Sequence, residues 1–216
     1  MIGFLDASKS FVSQEGVQIV LHKTSFLIPE KARVGVLGKA GTGKTTIVKL
    51  LAGMDSLDCG HLLKGGSISW PLGFTGMFHP SLSADSNIRT LAALCQLDSD
   101  SLSVFCQSFA ELGSEYFLPI STYSSGMKAR LGFALSVAVS SDFYLADEVF
   151  AVGEEKFRMK CEVALEGRLE KSGFIFFSRN PRLTQKMCDY HAVLINGQIV
   201  YCDSHDDAVR LFERSE

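Results

Sequence analysis

Residues 38–45 read Gly38-Lys39-Ala40-Gly41-Thr42-Gly43-Lys44-Thr45 and satisfy the pattern G-x-x-x-x-G-K-[ST] at every defined position. The pattern has meaning only between a strand and a helix, and both flanks are present. Arg33-Val34-Gly35-Val36-Leu37 is a nearly unbroken apolar run of the kind that forms a strand covered on both faces. Lys44 to Ala52 reads as a helix, and Gly53 supplies the residue that commonly ends one. In such a turn the glycines let the backbone wrap tightly and aim successive N–H groups at phosphate oxygens, while the helix N-terminus adds partial positive charge. Lys44 then reaches the terminal phosphates as a point charge, and Thr45 offers its hydroxyl to Mg²⁺. Gly38 to Lys44, with Thr45 and Thr46, are therefore the expected nucleoside triphosphate site.

Downstream, Phe143-Tyr144-Leu145-Ala146 is a second short apolar run, and Asp147-Glu148 come directly after it. Acids leaving a buried strand at its C-terminal end lie in the crevice where open α/β sheets bind ligands. One can hold Mg²⁺ while the next positions or deprotonates a water. Phe174-Ile175-Phe176-Phe177 is a further buried strand. Ala192 to Ile195 and Gln198 to Tyr201, joined by Asn196-Gly197, form a hairpin on a type I′ turn. Ser204-His205-Asp206-Asp207 has the form of a capping box before a terminal helix. Near the N-terminus, Val17 to Leu21 and Ser25 to Ile28 read as short strands.

The middle changes character. Ala84 to Leu97 and Leu102 to Leu112 carry apolar residues at helical spacing, and Gly113 and Pro119 punctuate the stretch that leads to the next helix. That helix, from about Gly126 to Val139, is apolar nearly all round, which marks it as buried. Glu154 to Lys171 is amphipathic, with Phe157, Cys161, Ala164, Leu165 and Leu169 on one face. Tyr123-Ser124-Ser125-Gly126-Met127 opens the buried helix. Ser124 or Ser125 suits its N-cap, and the same helix start is also a second anion site with no phosphate of its own nearby. The sum is an α/β core with a helical lobe inserted in its middle.

Composition narrows the classes. The chain has 216 residues, 46% hydrophobic and 21% charged, with a formal net charge of −3. These values suit one ordinary globular domain and remove the usual electrostatic reason to expect nucleic-acid binding. No run approaches the roughly 18 to 20 apolar residues of a membrane helix, and Met1 to Lys9 does not read as a secretion signal. Six cysteines (Cys59, Cys95, Cys106, Cys161, Cys188 and Cys202) include no C-x-x-C pair, and are expected to be small buried hydrophobes in a reducing compartment. The five histidines lack metal spacing. No N-K-x-D motif occurs and nothing suggests a pocket for a second substrate, which argues against a GTPase or a small-molecule kinase.

Taken in order, the phosphate loop, the Ser-Ser-Gly at a helix start and the acid pair resemble an ATP-binding subunit of an ABC transporter. Ile68-Ser-Trp-Pro-Leu72, Phe109-Ala-Glu-Leu-Gly113, Tyr123 to Arg130 and Asp147-Glu-Val-Phe-Ala-Val-Gly153 are similar, more narrowly, to the subunits that energise capsular polysaccharide export across the inner membrane of Gram-negative bacteria. The resemblance implies a P-loop NTPase core of the RecA type, with an N-terminal antiparallel β region and an inserted α-helical subdomain. It places the core lobe at about residues 1–80 and 140–216 and the helical subdomain at about 81–139.

It also implies a head-to-tail homodimer that traps ATP and Mg²⁺ between the phosphate loop of one copy and Ser124, Ser125 and Gly126 of the other. In that scheme Asp147 coordinates the metal and Glu148 is the general base. Phe11 stands where the family stacks an aromatic on adenine, the competing reading being an ordinary core phenylalanine. The segment around Phe74 to Ser83 and the inserted helices would face a transmembrane permease, putting the protein peripherally at the cytoplasmic face of the inner membrane. With the chain ending at Glu216, no separate carbohydrate-binding domain is expected.

Three positions depart from the family pattern. His79 stands where Gln usually contacts Mg²⁺ and the attacking water, Glu154 where Asp usually lies at the dimer seam, and Arg179 where a His usually senses the γ-phosphate. Arg179 can bind a phosphate bidentately but cannot exchange a proton at neutral pH. Slower hydrolysis is the expectation. The alternative is an ATP-gated, weakly or non-hydrolysing subunit that only dimerises.

Overall fold

The computed structural model describes residues 1–13, 16–148 and 154–214. The motif Asp147 to Gly153 thus runs past Glu148 into positions that lie outside the described residues. Contacts divide the chain into two compact units. The first comprises residues 1–71, 141–148 and 169–214; the second comprises 72–140 and the described part of 149–168. This partition differs from the expected one in assigning 72–80 and the stretch after Glu154 to the helical unit.

The first unit holds two sheets. Strand β1 (Ile2–Ser13) pairs antiparallel with β2 (Gly16–Ile28) on one side and β4 (Cys59–Lys64) on the other. The two short strands expected between Val17 and Ile28 are one strand, because polar His22-Lys23-Thr24 interrupts the apolar pattern without breaking the ladder. The second sheet runs β5 (Ile68–Pro71), β6 (Phe143–Asp147), β7 (Gly173–Ser178), β3 (Arg33–Leu37), β8 (Tyr190–Ile195), β9 (Gln198–Cys202). Its first five strands are parallel, and β9 turns back through Asn196 (φ 47°) and Gly197 (φ 69°), the two left-handed residues that the hairpin needs.

Strand β7 is buried along its whole length, as a central parallel strand must be. Helix α1 (Lys44–Ala52) ends on Gly53 (φ 71°), whose N–H donates to the Leu50 carbonyl while Met54 N–H donates to that of Lys49. Ile47, Val48, Leu50 and Leu51 of α1 pack with Val34, Val36, Ile175 and Phe177 of the parallel sheet and with Phe4, Phe26 and Ile28 of the antiparallel one. Each such side chain contributes about 1.5–3 kcal/mol by leaving water. Two short helices complete the unit, α6 (Pro181–Met187) and α7 (His205–Arg214), the latter capped by Ser204 through the Asp207 N–H.

In the helical unit, α2 (Ala84–Leu94), α3 (Ser99–Ala110) and α4 (Ser125–Ala138) are capped in turn by Ser83, Asp98 and Ser124. Helix α4 is buried from Leu131 to Val137, and at Gly132 a side-chain carbon would come within 3.0 Å of the Gly73 and Phe74 backbone. Helix α5 (Glu155–Leu169) buries Phe157, Cys161, Leu165 and Leu169 as its amphipathic pattern requires.

The expectation that the cysteines are buried holds for only some of them. Cys106, Cys161 and Cys188 are buried, but Cys59 and Cys95 are exposed, on the sparsely covered strand β4 and at the end of α2. His191 lies edge-on to His205 at 4.8 Å between ring centroids, with its Nδ1 buried and lacking a hydrogen-bond partner. Burial, then the neighbouring His205, depress its pKa, against a smaller opposing effect of Asp189. The unfolded chain therefore binds this proton more readily than the folded one, and stability should fall as pH drops below about 6.5 toward the folded-state pKa. Urea midpoints at pH 7.5 and 5 should show the loss, and His191→Gln should lessen it.

Candidate functional site

Within the first unit, the chain positions its chemistry at the C-terminal edge of the parallel sheet. The phosphate loop leaves β3, Asp147-Glu148 leave β6, and Arg179 leaves β7, which lies between them. Two hydrogen bonds tie the outer segments to the middle strand: Gly38 N–H donates to the Ser178 carbonyl (3.1 Å) and Glu148 N–H to that of Phe177 (2.9 Å).

The loop is shaped for close wrapping. Gly41 (φ 79°) and Gly43 (φ 93°) take left-handed conformations, and a side-chain carbon at Gly43 would lie 2.4 Å from Val20 Cγ1 on β2. Ala40 and Gly41 are exposed at its tip, Thr42 donates to the Lys39 carbonyl (2.9 Å), and Thr46 comes next in the first turn of α1. Lys44, only 7% exposed, donates to the carbonyls of Gly38 (2.9 Å) and Lys39 (2.8 Å) and lies 3.2 Å from Glu148 Oε1. The Thr45 hydroxyl donates to Asp147 Oδ2. That pair presents two hard oxygen donors of the kind Mg²⁺ takes, so the residues present fit the cation.

Glu148 sits in the left-handed region (φ 56°), uncommon for a non-glycine residue and costly enough to need support from its surroundings. The support is visible. Arg179 Nε donates to both carboxylate oxygens (3.0 and 2.9 Å) while Lys44 approaches Oε1. The sequence identified all three residues separately; it carried no indication that they form one charged cluster. An open depression of about 520 Å³ runs beside them, bordered by Ser178, Asn180, Pro181 and Leu183.

On β1, Phe11 is 41% exposed, which excludes the core-phenylalanine reading. The Lys9 ammonium lies 4.9 Å from its ring centroid. Lys9 is an unnoticed residue of this region; its signal was a cation at the two-residue spacing that shares a strand face with Phe11.

The helical unit carries the remaining expected residues. Ser124 accepts from Met127 N–H (3.2 Å), so the N-cap is Ser124, with Ser125 and Gly126 exposed in the first turn. Ser124 and Gly126 border an open cleft of about 530 Å³ that also includes Glu154, Arg130, Phe157 and Lys160. Arg130 stacks on Phe157, and Glu111 accepts from both Arg130 (2.9 Å) and Lys160 (2.7 Å). The Lys160 contact first of all holds the Glu111 carboxyl below its usual pKa. His79 is exposed, with Nδ1 accepting from Ser81 N–H (3.3 Å). Its loop is pinned by buried Asn87, which accepts from His79 N–H (2.7 Å) and donates to the carbonyls of His79, Leu82 and Ser83. A poor helix former inside α2 was the available signal for that role.

Known proteins resemble this chain over most of its length. The family model described as ABC transporter matches residues 21–151. The chain belongs to the ABC transporter family. This ABC protein is 37% identical over 212 residues, 98% of both chains, to the capsule polysaccharide export ATP-binding protein CtrD of Neisseria meningitidis serogroup B. It is 36% identical over the full length of both chains to the ATP-binding protein BexA of Haemophilus influenzae. Among solved structures, an ATP-binding subunit of an ABC transporter superposes with a TM-score of 0.81 at 18% identity, covering 100% of this chain and 94% of the other. That likeness establishes the ATP-binding-cassette fold.

Proposed function

We propose that this ABC protein binds MgATP and hydrolyses it to energise export of a capsular or other cell-surface polysaccharide. It would work with a transmembrane permease, as a peripheral subunit at the cytoplasmic face of the inner membrane. No helix among the described residues is long and apolar enough to cross a membrane, so the permease is a separate protein in this reading. The observation that carries the proposal is likeness from end to end to a capsule polysaccharide export ATP-binding protein, in a chain that places Lys44, Thr45, Asp147 and Glu148 together.

In the mechanism, the amides of Gly41 to Lys44 and the Lys44 ammonium hold the phosphates. Thr45 and Asp147 would hold Mg²⁺, which when bound neutralises charge that develops on the phosphates. Glu148 accepts the proton of the attacking water once Lys44 has moved its charge onto phosphate. His79 would take the place of the glutamine that in this family contacts the metal and the attacking water. Two copies close head to tail, Ser124, Ser125 and Gly126 of the partner subunit completing the phosphate cage, with Glu154 at the seam. Phe11 stacks on adenine. Closure on ATP and opening after hydrolysis is the population shift that drives transport.

Arg179 grips the same carboxylate that must act as base, and so sets the rate in this reading. Arg179→Ala should change kcat by about tenfold or more while ATP affinity moves less than about threefold. Arg179→His should introduce an inflection near pH 6.5 in the kcat profile, because imidazole titrates where guanidinium does not. Unchanged hydrolysis by the membrane-assembled Arg179→Ala complex excludes the role. The proposal as a whole is tested by supplying this chain to cells that lack their own export ATPase but keep the permease. Restored surface polymer supports it, and intracellular accumulation despite normal expression overturns it.

A further inference from the structure

Lys9 is the least expected cation in the first unit. It stands on a strand, is 7% exposed, and is held at three points by one turn: Asp55 Oδ1 at 3.1 Å, the Ser56 carbonyl at 2.8 Å and Asp58 Oδ1 at 3.7 Å. The next residue tightens the same attachment, Ser10 donating to Asp58 Oδ2 from both its N–H (2.7 Å) and its hydroxyl (2.8 Å). An immobilised ammonium gains little by being there unless its position matters to something else. The neighbour whose position it fixes is Phe11, whose ring centroid is 4.9 Å away.

Phe11 pairs with Gln18 across β1 and β2, and Val20, two residues along β2, is the side chain that presses on Gly43 of the phosphate loop. Two residues of strand span about 6.6–6.8 Å. The strand partner of Phe11 thus lies two residues from the side chain that abuts the phosphate loop, and the ring carries a cation on one face.

We propose that Lys9 is a positioning residue that sets the Phe11 ring as a stacking platform for the purine base. The inference rests on the reading of Phe11 as the adenine contact. A cation on one face draws ring electron density toward itself and, tethered to Asp55, Ser56 and Asp58, restrains the ring from turning over the exposed strand surface. Its contribution belongs to the base and not to the phosphates, so base-free tripolyphosphate isolates it.

The test measures binding of MgATP and of magnesium tripolyphosphate to the full chain and to Lys9→Met, Phe11→Ala and the double variant. Lys9→Met is expected to weaken MgATP binding about three- to tenfold, leave tripolyphosphate within about twofold, and raise KM with little change in kcat. Lys9→Arg should restore most of the loss, and Lys9→Met should add nothing in the Phe11→Ala background. Wild-type MgATP affinity in Lys9→Met overturns the proposal, as does an equal loss for tripolyphosphate. If Phe11→Ala weakens the two ligands equally, the stacking reading itself fails, a distinguishable outcome. Should Lys9→Met not fold, Asp55→Asn, which loosens the tether and keeps the charge, must show the same base-dependent loss or the proposal falls.

Discussion

Glu148→Gln is expected to lower ATP turnover by about 10²–10⁴-fold, the usual contribution of a positioned general base, and to leave the variant dimeric in MgATP. The amide keeps the shape of the side chain and can still accept a hydrogen bond from Arg179, so the left-handed backbone at this position retains its support. What it loses is the capacity to take a proton from water. It also loses the charge that Lys44 approaches at 3.2 Å, which leaves the ammonium freer to meet phosphate. Both changes favour the closed, ATP-filled state. Size-exclusion chromatography in saturating MgATP, with phosphate release measured on the same sample, checks both. A variant that stays monomeric with MgATP, alone and with its permease, removes the shared-cage dimer from the reading.

Lys44→Met should weaken ATP binding by at least about 100-fold and bring hydrolysis below detection. Methionine replaces the stem but not the ammonium, and charge-assisted bonds to two phosphates are together worth about 3 kcal/mol or more. The variant also removes the ammonium that the Gly38 carbonyl accepts from, at about 1–3 kcal/mol in stability, while the Lys39 carbonyl keeps its bond from Thr42. Thermal denaturation alongside calorimetric titration separates these effects. ATP affinity within fivefold of wild type in a folded Lys44→Met protein would contradict the phosphate-loop assignment.

The parts legible in the sequence were those in which local chemistry and tertiary need agree. The glycine-lysine loop, the all-apolar β7 and the Asn196-Gly197 hairpin each admit few alternatives, and the helix capped by Ser124 announces its own start. Strand β1 was not legible. Its alternation is broken by Asp6 in a left-handed conformation and by register shifts between Phe4 and Ala7 and around Lys9, so no clean period of two appears. Strand β4 is mostly exposed and β5 has four residues, too little pattern for either to stand out. At the site, identities could be read but partnerships could not. Lys44, Glu148 and Arg179 are separated by long stretches of chain, and only the strand order places them together.

That strand order has a consequence for how the site can be altered. Because β7 is paired on both flanks as far as Phe177 and Ser178, the strand end that delivers position 179 is held from both sides. A new side chain there starts from the same strand end but gives up or remakes the two bonds to Glu148. A substitution at this position therefore acts on proton transfer and on the Glu148 carboxylate that Lys44 also approaches, and the two effects arrive together.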